Sequence, residues 1–297
     1  MPRITNLFKI ADLVPFVDID PTIDTRLFAD AHRIRLQAST GYLYTRSALD
    51  ELDSFSGFIA QRVMAGDLKA AFEVLKQCGE PNETRLGMSS GKIRGRGAAD
   101  ELAQRITDAM ADSPEALLEL GLFSRLENLP LYVEGIDSDI TSDVTTRVIF
   151  GTLIDFTLEM VFKYPQLGQN VRQGIFQVWD SQSSTWQKRT ASLPFLGDSH
   201  LVLVPSEWVG KGLLISSDRY YGKTVLDWVQ AKHTTVMSDG RVNRPPKWQL
   251  QERKDYKHSR MFNLQQTLEA AEVDINLIDR FMDYVAEYYW LKQDRAA

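Results

Sequence analysis

The stretch "VIFGTLIDFTLEMVF", residues 148–162, constrains the fold of this chain more than any other. It is the most apolar run, and Asp155 and Glu159 interrupt it. A helix that crosses a bilayer needs ~20 mostly apolar residues. This run is shorter and carries two charges, so it is expected to be a helix buried by the rest of the protein. The composition agrees: 43% hydrophobic and 10% aromatic residues can build a core, which argues against disorder. The N-terminus "MPRITNLFKIADLVPF" has no long apolar core and no small-residue cleavage site, so no signal peptide is expected. Cys78 is the only cysteine, which excludes an internal disulfide and a multi-cysteine zinc site and fits a reducing cytoplasm.

Periodicity organises the chain around that run. From Ser47 to Gln77 apolar residues recur at three- and four-residue steps, through Leu49, Leu52, Phe55, Phe58, Ile59 and Val63. Ser47 is read as the N-cap, and "AGD" at 65–67 divides the pattern into two helices. A further helix is expected from Ala98 to Met110, a short one at "SPEALLELGLF", and a long one from Ser142 to Tyr164. "LVPFVDID" (13–20) and "LPLYVEGI" (129–136) read as strands, and "TRLFADAHRIRL" stays open between strand and helix. "GIFQVWDSQSSTWQKRTASLPF" and "HLVLVPSEWV" read as paired strands. The tail from Asn263 is helical. The expected class is α+β, with a mostly helical first half, a small strand-containing region around 130–205 and a helical C-terminus. Three regions suggest themselves, 1–168, 169–240 and 241–297, or all of these as one domain.

Four stretches carry candidate chemistry. In "EGIDSDITSDVTTRVI" (134–149), Glu134, Asp137, Asp139 and Asp143 crowd a strand end and a helix start. Such carboxylates can hold Mg²⁺, with Asp139 and Asp143 as catalytic groups. The plain alternative is helix capping by Ser142 and a pairing of Asp143 with Arg147 one turn on. An EF-hand is rejected because Val148 stands where the bidentate glutamate belongs. "LGMSSGKIRGRGA" (86–98) runs into a helix. Its Lys92, Arg94, Gly95, Arg96 and Gly97 suit a phosphate or nucleic-acid backbone, or else form a flexible surface loop. Lys92 is followed by Ile93, so this is not a Walker A loop.

The third stretch is "DIDPTID", where Asp18, Asp20 and Asp24 are either turn residues or a second arm of the acidic group. The fourth is 241–260, a basic loop or linker with seven Lys/Arg against two acids. Its Lys247, Arg253 and Lys254, with Trp248 and Tyr256 between them, suit single-stranded nucleic acid. The net charge of −6 requires any such contact to be local. The four histidines, His32, His200, His233 and His258, lack local zinc spacing, and no G-x-S-x-G elbow is present.

Taken together, "VPFVDID…DTRLFAD", "ETRLGMSSGKIRGRG", "LYVEGIDSDITSDVTTRVI" and "LVLVPSEWV" resemble a group of poorly characterised bacterial proteins associated with anti-phage defence and mobile-element loci. The resemblance spans roughly the first two-thirds of the chain. It carries no assigned chemistry and transfers no catalytic residue. It implies a cytoplasmic bacterial protein that works near nucleic acid. Two functions compete. One is a Mg²⁺-dependent phosphodiesterase. The other is a non-catalytic sensor or scaffold subunit, with the aromatic "FMDYVAEYYWL" binding a protein partner or a second copy and no membrane involved.

Overall fold

In the computed structural model, residues 3–87, 96–112 and 125–294 are described. The elements of the N-terminal half are α1 (Ile4–Leu7), β1 (Phe28–Ala29), α2 (Ala31–Gln37), α3 (Thr45–Met64), α4 (Leu68–Leu75), α5 (Arg96–Asp112), α6 (Leu129–Tyr132), α7 (Ser138–Val148) and α8 (Phe150–Lys163). Then come β2 (Val171–Asp180), β3 (Thr185–Leu196), β4 (Ser199–His200) and β5 (Val209–Gly210). The C-terminal part holds α9 (Ser217–Tyr220), a π-helical turn (Tyr221–Val225), α10 (Leu226–Lys232), β6 (Thr235–Val236), β7 (Val242–Asn243), α11 (Lys247–Gln251), α12 (Arg260–Ala271) and α13 (Leu277–Asp294). The fold is α+β as expected, helical at both ends, with three small antiparallel sheets among the described residues.

The apolar run lies at the centre. Val148, Ile149, Phe150, Leu153, Ile154 and Phe156 are almost fully buried. The threonines of α7 and α8 are buried too, and their hydroxyls need partners in a dry interior. Thr145 and Thr157 find them one turn back, donating to the carbonyls of Thr141 and Leu153, both at 2.7 Å, and Thr152 donates to Glu51. The β2–β3 hairpin docks on this core through tryptophans. Trp179 and Trp186 face each other across the strands, Trp179 packs edge-on against Phe55 at 5.0 Å, and the two indole N–H groups donate to Ser54 and to the carbonyl of Val74. One buried apolar cluster runs from Ile4 to Tyr289 and draws on all three of the expected regions.

Several elements differ from expectation. α3 begins at Thr45, after Tyr44 in a left-handed conformation, and not after Ser47. The expected strand at 13–20 is extended chain with a single bridge, Phe16 to Pro205, because it meets no long partner. The expected strand at 129–136 is helical instead over Leu129–Tyr132, with Pro130 in the first turn, where a missing N–H costs nothing. The expected long helix is two, α7 and α8, and α7 starts at Ser138 behind an Asp137 cap. The β2 and β3 strands pair with each other. "HLVLVP" adds only β4 before running on as buried extended chain. The open segment 25–36 holds both forms, β1 and then α2, with Asp30 as the cap between them. The basic stretch is no linker: it contributes β7 and α11 and buries Leu250. The expected helix at "SPEALLELGLF" lies outside the described residues.

Candidate functional site

Residues 25–29 bring two distant stretches together. Thr25 bridges Leu86 in parallel, and the N–H of Gly87 donates to the carbonyls of Thr25 and Leu27, each at 3.1 Å. Two residues on, the N–H of Ala29 donates to Ser142 Oγ at 2.8 Å, which docks α7 against β1. Ser142 therefore ties elements together and does not cap a helix. The result places Gly87, where the glycine- and arginine-rich stretch begins, under two carboxylates of α7.

Asp139 and Asp143 are one helical turn apart, so they share a face. Both are buried, at 5% and 8% exposure. A Cβ on Gly87 would stand 3.1 Å from Asp139 Oδ1 and 3.9 Å from Asp143 Oδ1. Gly87 also has φ +112°, a conformation that L side chains rarely adopt. Glycine is thus required twice over. Gly87→Ala is expected to lower stability by about 1–3 kcal/mol and to displace the acidic pair, read as a fall in melting temperature. Beside the pair lies a cleft of about 240 Å³, lined by Gly79, Glu80, Glu101, Arg105, Ile140 and Asp143. Cys78 also borders it, and burial pushes that thiol up to about 12, so it is no nucleophile.

The other expected ligands serve the fold. Asp137 is exposed and caps α7, accepting from the N–H of Ile140 at 3.0 Å. Glu134 pairs with Arg260 at 3.0 Å. Among the described residues, no three His, Cys, Asp or Glu side chains are grouped to hold a metal ion. The set of four carboxylates therefore divides into Asp139 with Asp143 on one side and two structural acids on the other. Arg147 donates to the carbonyls of Gly79 and Glu80, at 3.1 and 3.3 Å, and helps shape the cleft wall. Asp20 makes a turn bond, accepting from the N–H and hydroxyl of Thr22, whereas Asp18 accepts from Thr5, thirteen residues back, and so ties the extended segment to α1.

Of the expected phosphate-binding residues, Lys92, Arg94 and Gly95 lie outside the described residues, and Arg96 and Gly97 open α5. Lys247 is committed elsewhere, 2.8 Å from Asp227 and donating to the carbonyl of Gly222. Arg253 lies over the Tyr256 ring at 5.1 Å, and Lys254 is exposed on the short turn that ends at Tyr256. Trp248 is 62% exposed.

Sequence reading missed two acids. Glu127, in the apolar context "RLENLPLY", is 2% exposed and lies 2.7 Å from Arg35 Nε and 3.8 Å from His32 Nδ1. Burial alone would push its carboxyl up, but His32 and Arg35 together outweigh burial and hold it at about 2. Glu51 sits where α3 meets α8 and accepts from Thr152 at 2.8 Å. Burial pushes it up to about 8, which the Thr152 bonds only partly offset. For Glu127 the available signal was a single acid inside an apolar run, and for Glu51 its place on the helix face of Ala48, Phe55 and Phe58, apart from Asp50 and Asp53.

The model of a family described as a domain of unknown function, DUF8370, matches residues 7–216, and the chain belongs to that family. The match takes in Gly87, Asp139 and Asp143 and ends at Ser216, the cap of α9. No curated protein and no solved structure matches the chain. Among the described residues no helix is long and apolar enough to cross a membrane.

Proposed function

We propose that this chain is a Mg²⁺-dependent phosphodiesterase that engages nucleic acid at the cleft between α5 and α7, in the bacterial cytoplasm and in a defence role. The observation that carries the reading is the Asp139–Asp143 pair, buried and facing Gly87 near the start of the 86–98 stretch in sequence. Two carboxylates fit Mg²⁺, which is commonly bound through one or two of them together with substrate phosphates and water. Asp139 and Asp143 would hold the cation, which activates water and neutralises charge on the phosphate. Gly87 keeps the chain close to the pair, and Arg94 and Arg96 would clamp phosphate oxygens.

The test is cleavage of labelled single- and double-stranded DNA and RNA with Mg²⁺ or Mn²⁺. Asp139→Asn with Asp143→Asn keeps shape and removes charge, so cleavage is expected to vanish while melting shifts by only about 1–3 °C. Absence of cleavage and of Mn²⁺ binding in the wild type would end this reading.

A second reading is a non-catalytic sensor or scaffold subunit. It is favoured by the use of Glu134 and Asp137 within the fold and by the exposed Leu291 beside Trp290 on α13, a surface for a protein partner.

A further inference from the structure

A second concavity lies apart from the acidic pair and shares no lining residue with the cleft beside it. Its walls come from α2, the loop after β5, α9 and the end of α13, and its volume is about 390 Å³. Arg33, Lys211, Arg219 and Lys292 line it, and among the described residues no Asp or Glu does. Some cations elsewhere have a carboxylate within 4.0 Å, as Arg35, Arg189, Lys232 and Arg260 do, and others such as Arg147 and Arg172 have none among the described residues, so what sets this concavity apart is that four cations converge on it. Among the described residues, Lys211, Arg219 and Lys292 have none, and Arg33 has only the buried Asp30, at 3.6 Å.

The two arginines are held in place. Arg219 donates to the carbonyls of Leu213 and Leu214. Arg33 presses so closely on Gly210 that a Cβ there would stand 2.6 Å from its guanidinium, and it lies 5.5 Å from the Tyr289 ring centre. Its Nε is buried without a hydrogen-bond partner. Lys292 and Arg219 flank the Tyr288 ring at 4.6 and 5.7 Å, and the hydrogen bond from Lys292 draws the Tyr288 hydroxyl below its ordinary range. A lysine near a helix C-terminus is common because it complements the helix dipole. That accounts for Lys292 alone, not for three cations converging from other elements. Like charges gathered in one concavity repel, and an anion relieves them.

We propose that this concavity binds the di- or triphosphate group of a small molecule. Guanidinium groups pair with phosphate oxygens in a planar, two-pronged way, and the lysines add mobile charge at the rim. The volume suits a small ligand.

The test is calorimetric titration at low salt with inorganic pyrophosphate and, separately, ATP. The variants are Lys211→Glu and Lys292→Glu, both at exposed positions without carboxylate partners, so melting temperatures are expected to match the wild type. Wild type should bind pyrophosphate, and each reversal should weaken binding about tenfold or more, with affinity falling as salt rises. ATP binding tighter than pyrophosphate would add a base contact; equal binding would assign the site to the phosphate chain alone. Asp139→Asn with Asp143→Asn should bind as well as wild type, which separates this site from the proposed catalytic one. Failure of both ligands to bind, unchanged binding in both lysine variants, or displacement of pyrophosphate by a lower concentration of single-stranded oligonucleotide would overturn the proposal.

Discussion

Glu127→Ala is expected to destabilise the protein by about 3–5 kcal/mol, because removing one member of a buried ion pair leaves its partner charged and dry. The partner is Arg35, half-buried and bridging to Asp53 as well, and its guanidinium is held charged by the acids on either side. His32, at 3% exposure, would lose the carboxylate that lies 3.8 Å from its Nδ1. The double variant Glu127→Ala with Arg35→Met should recover part of the loss, since neither charge then remains unpaired. The pH dependence follows from the depressed carboxyl. Its folded value is about 2 and its unfolded value is near ~4.3, so its stabilisation is fully present above ~4.3 and disappears as pH falls through 2. Denaturant melts between pH 2 and 7 should show the wild type losing this increment on acidification, whereas Glu127→Ala has none to lose. A variant as stable as wild type at pH 7 would mean that the pair contributes nothing net.

Glu51→Gln is expected to act in the opposite direction. Its carboxyl is raised to about 8, so the folded protein holds the proton more tightly than the unfolded chain does. Stability tied to this group is complete below ~4.3, where both states are protonated, and is lost as pH rises towards and through 8. Glutamine keeps an oxygen for the Thr152 hydroxyl and never ionises. The variant should match wild type near pH 4 and exceed it near pH 9 by on the order of 2 kcal/mol, a melting shift of about 5 °C. Asp155 and Arg189 frame the same junction and pair with each other, so Arg189 is not free to neutralise Glu51 fully. Equal melting curves at both pH values would show Glu51 ionised without cost.

These two acids also mark where local reading runs out. The periodicity of Leu49 through Val63 and the break at "AGD" specified α3 and α4, because a helix is built from contacts three and four residues apart. The hairpin at 171–196 was equally local, with its alternation and its polar turn. Local pattern misread 129–136 as strand because a short apolar run is ambiguous, and Pro130 tips it towards a helical first turn. It also placed the start of α7 at Ser142, when Asp137 was the better cap.

The class of the protein, its buried central run and most of its helices were decided by the sequence itself, since each rests on neighbours within a turn or two. Which acids meet was decided by the tertiary structure alone. Glu134 is neutralised by an arginine 126 residues away, and Asp139 and Asp143 face Gly87 only because residues 25–29 bond to both stretches. The cations of the second concavity likewise come from four separate elements. Charges act through space, so spacing along the chain shows which groups exist but not which of them lie side by side.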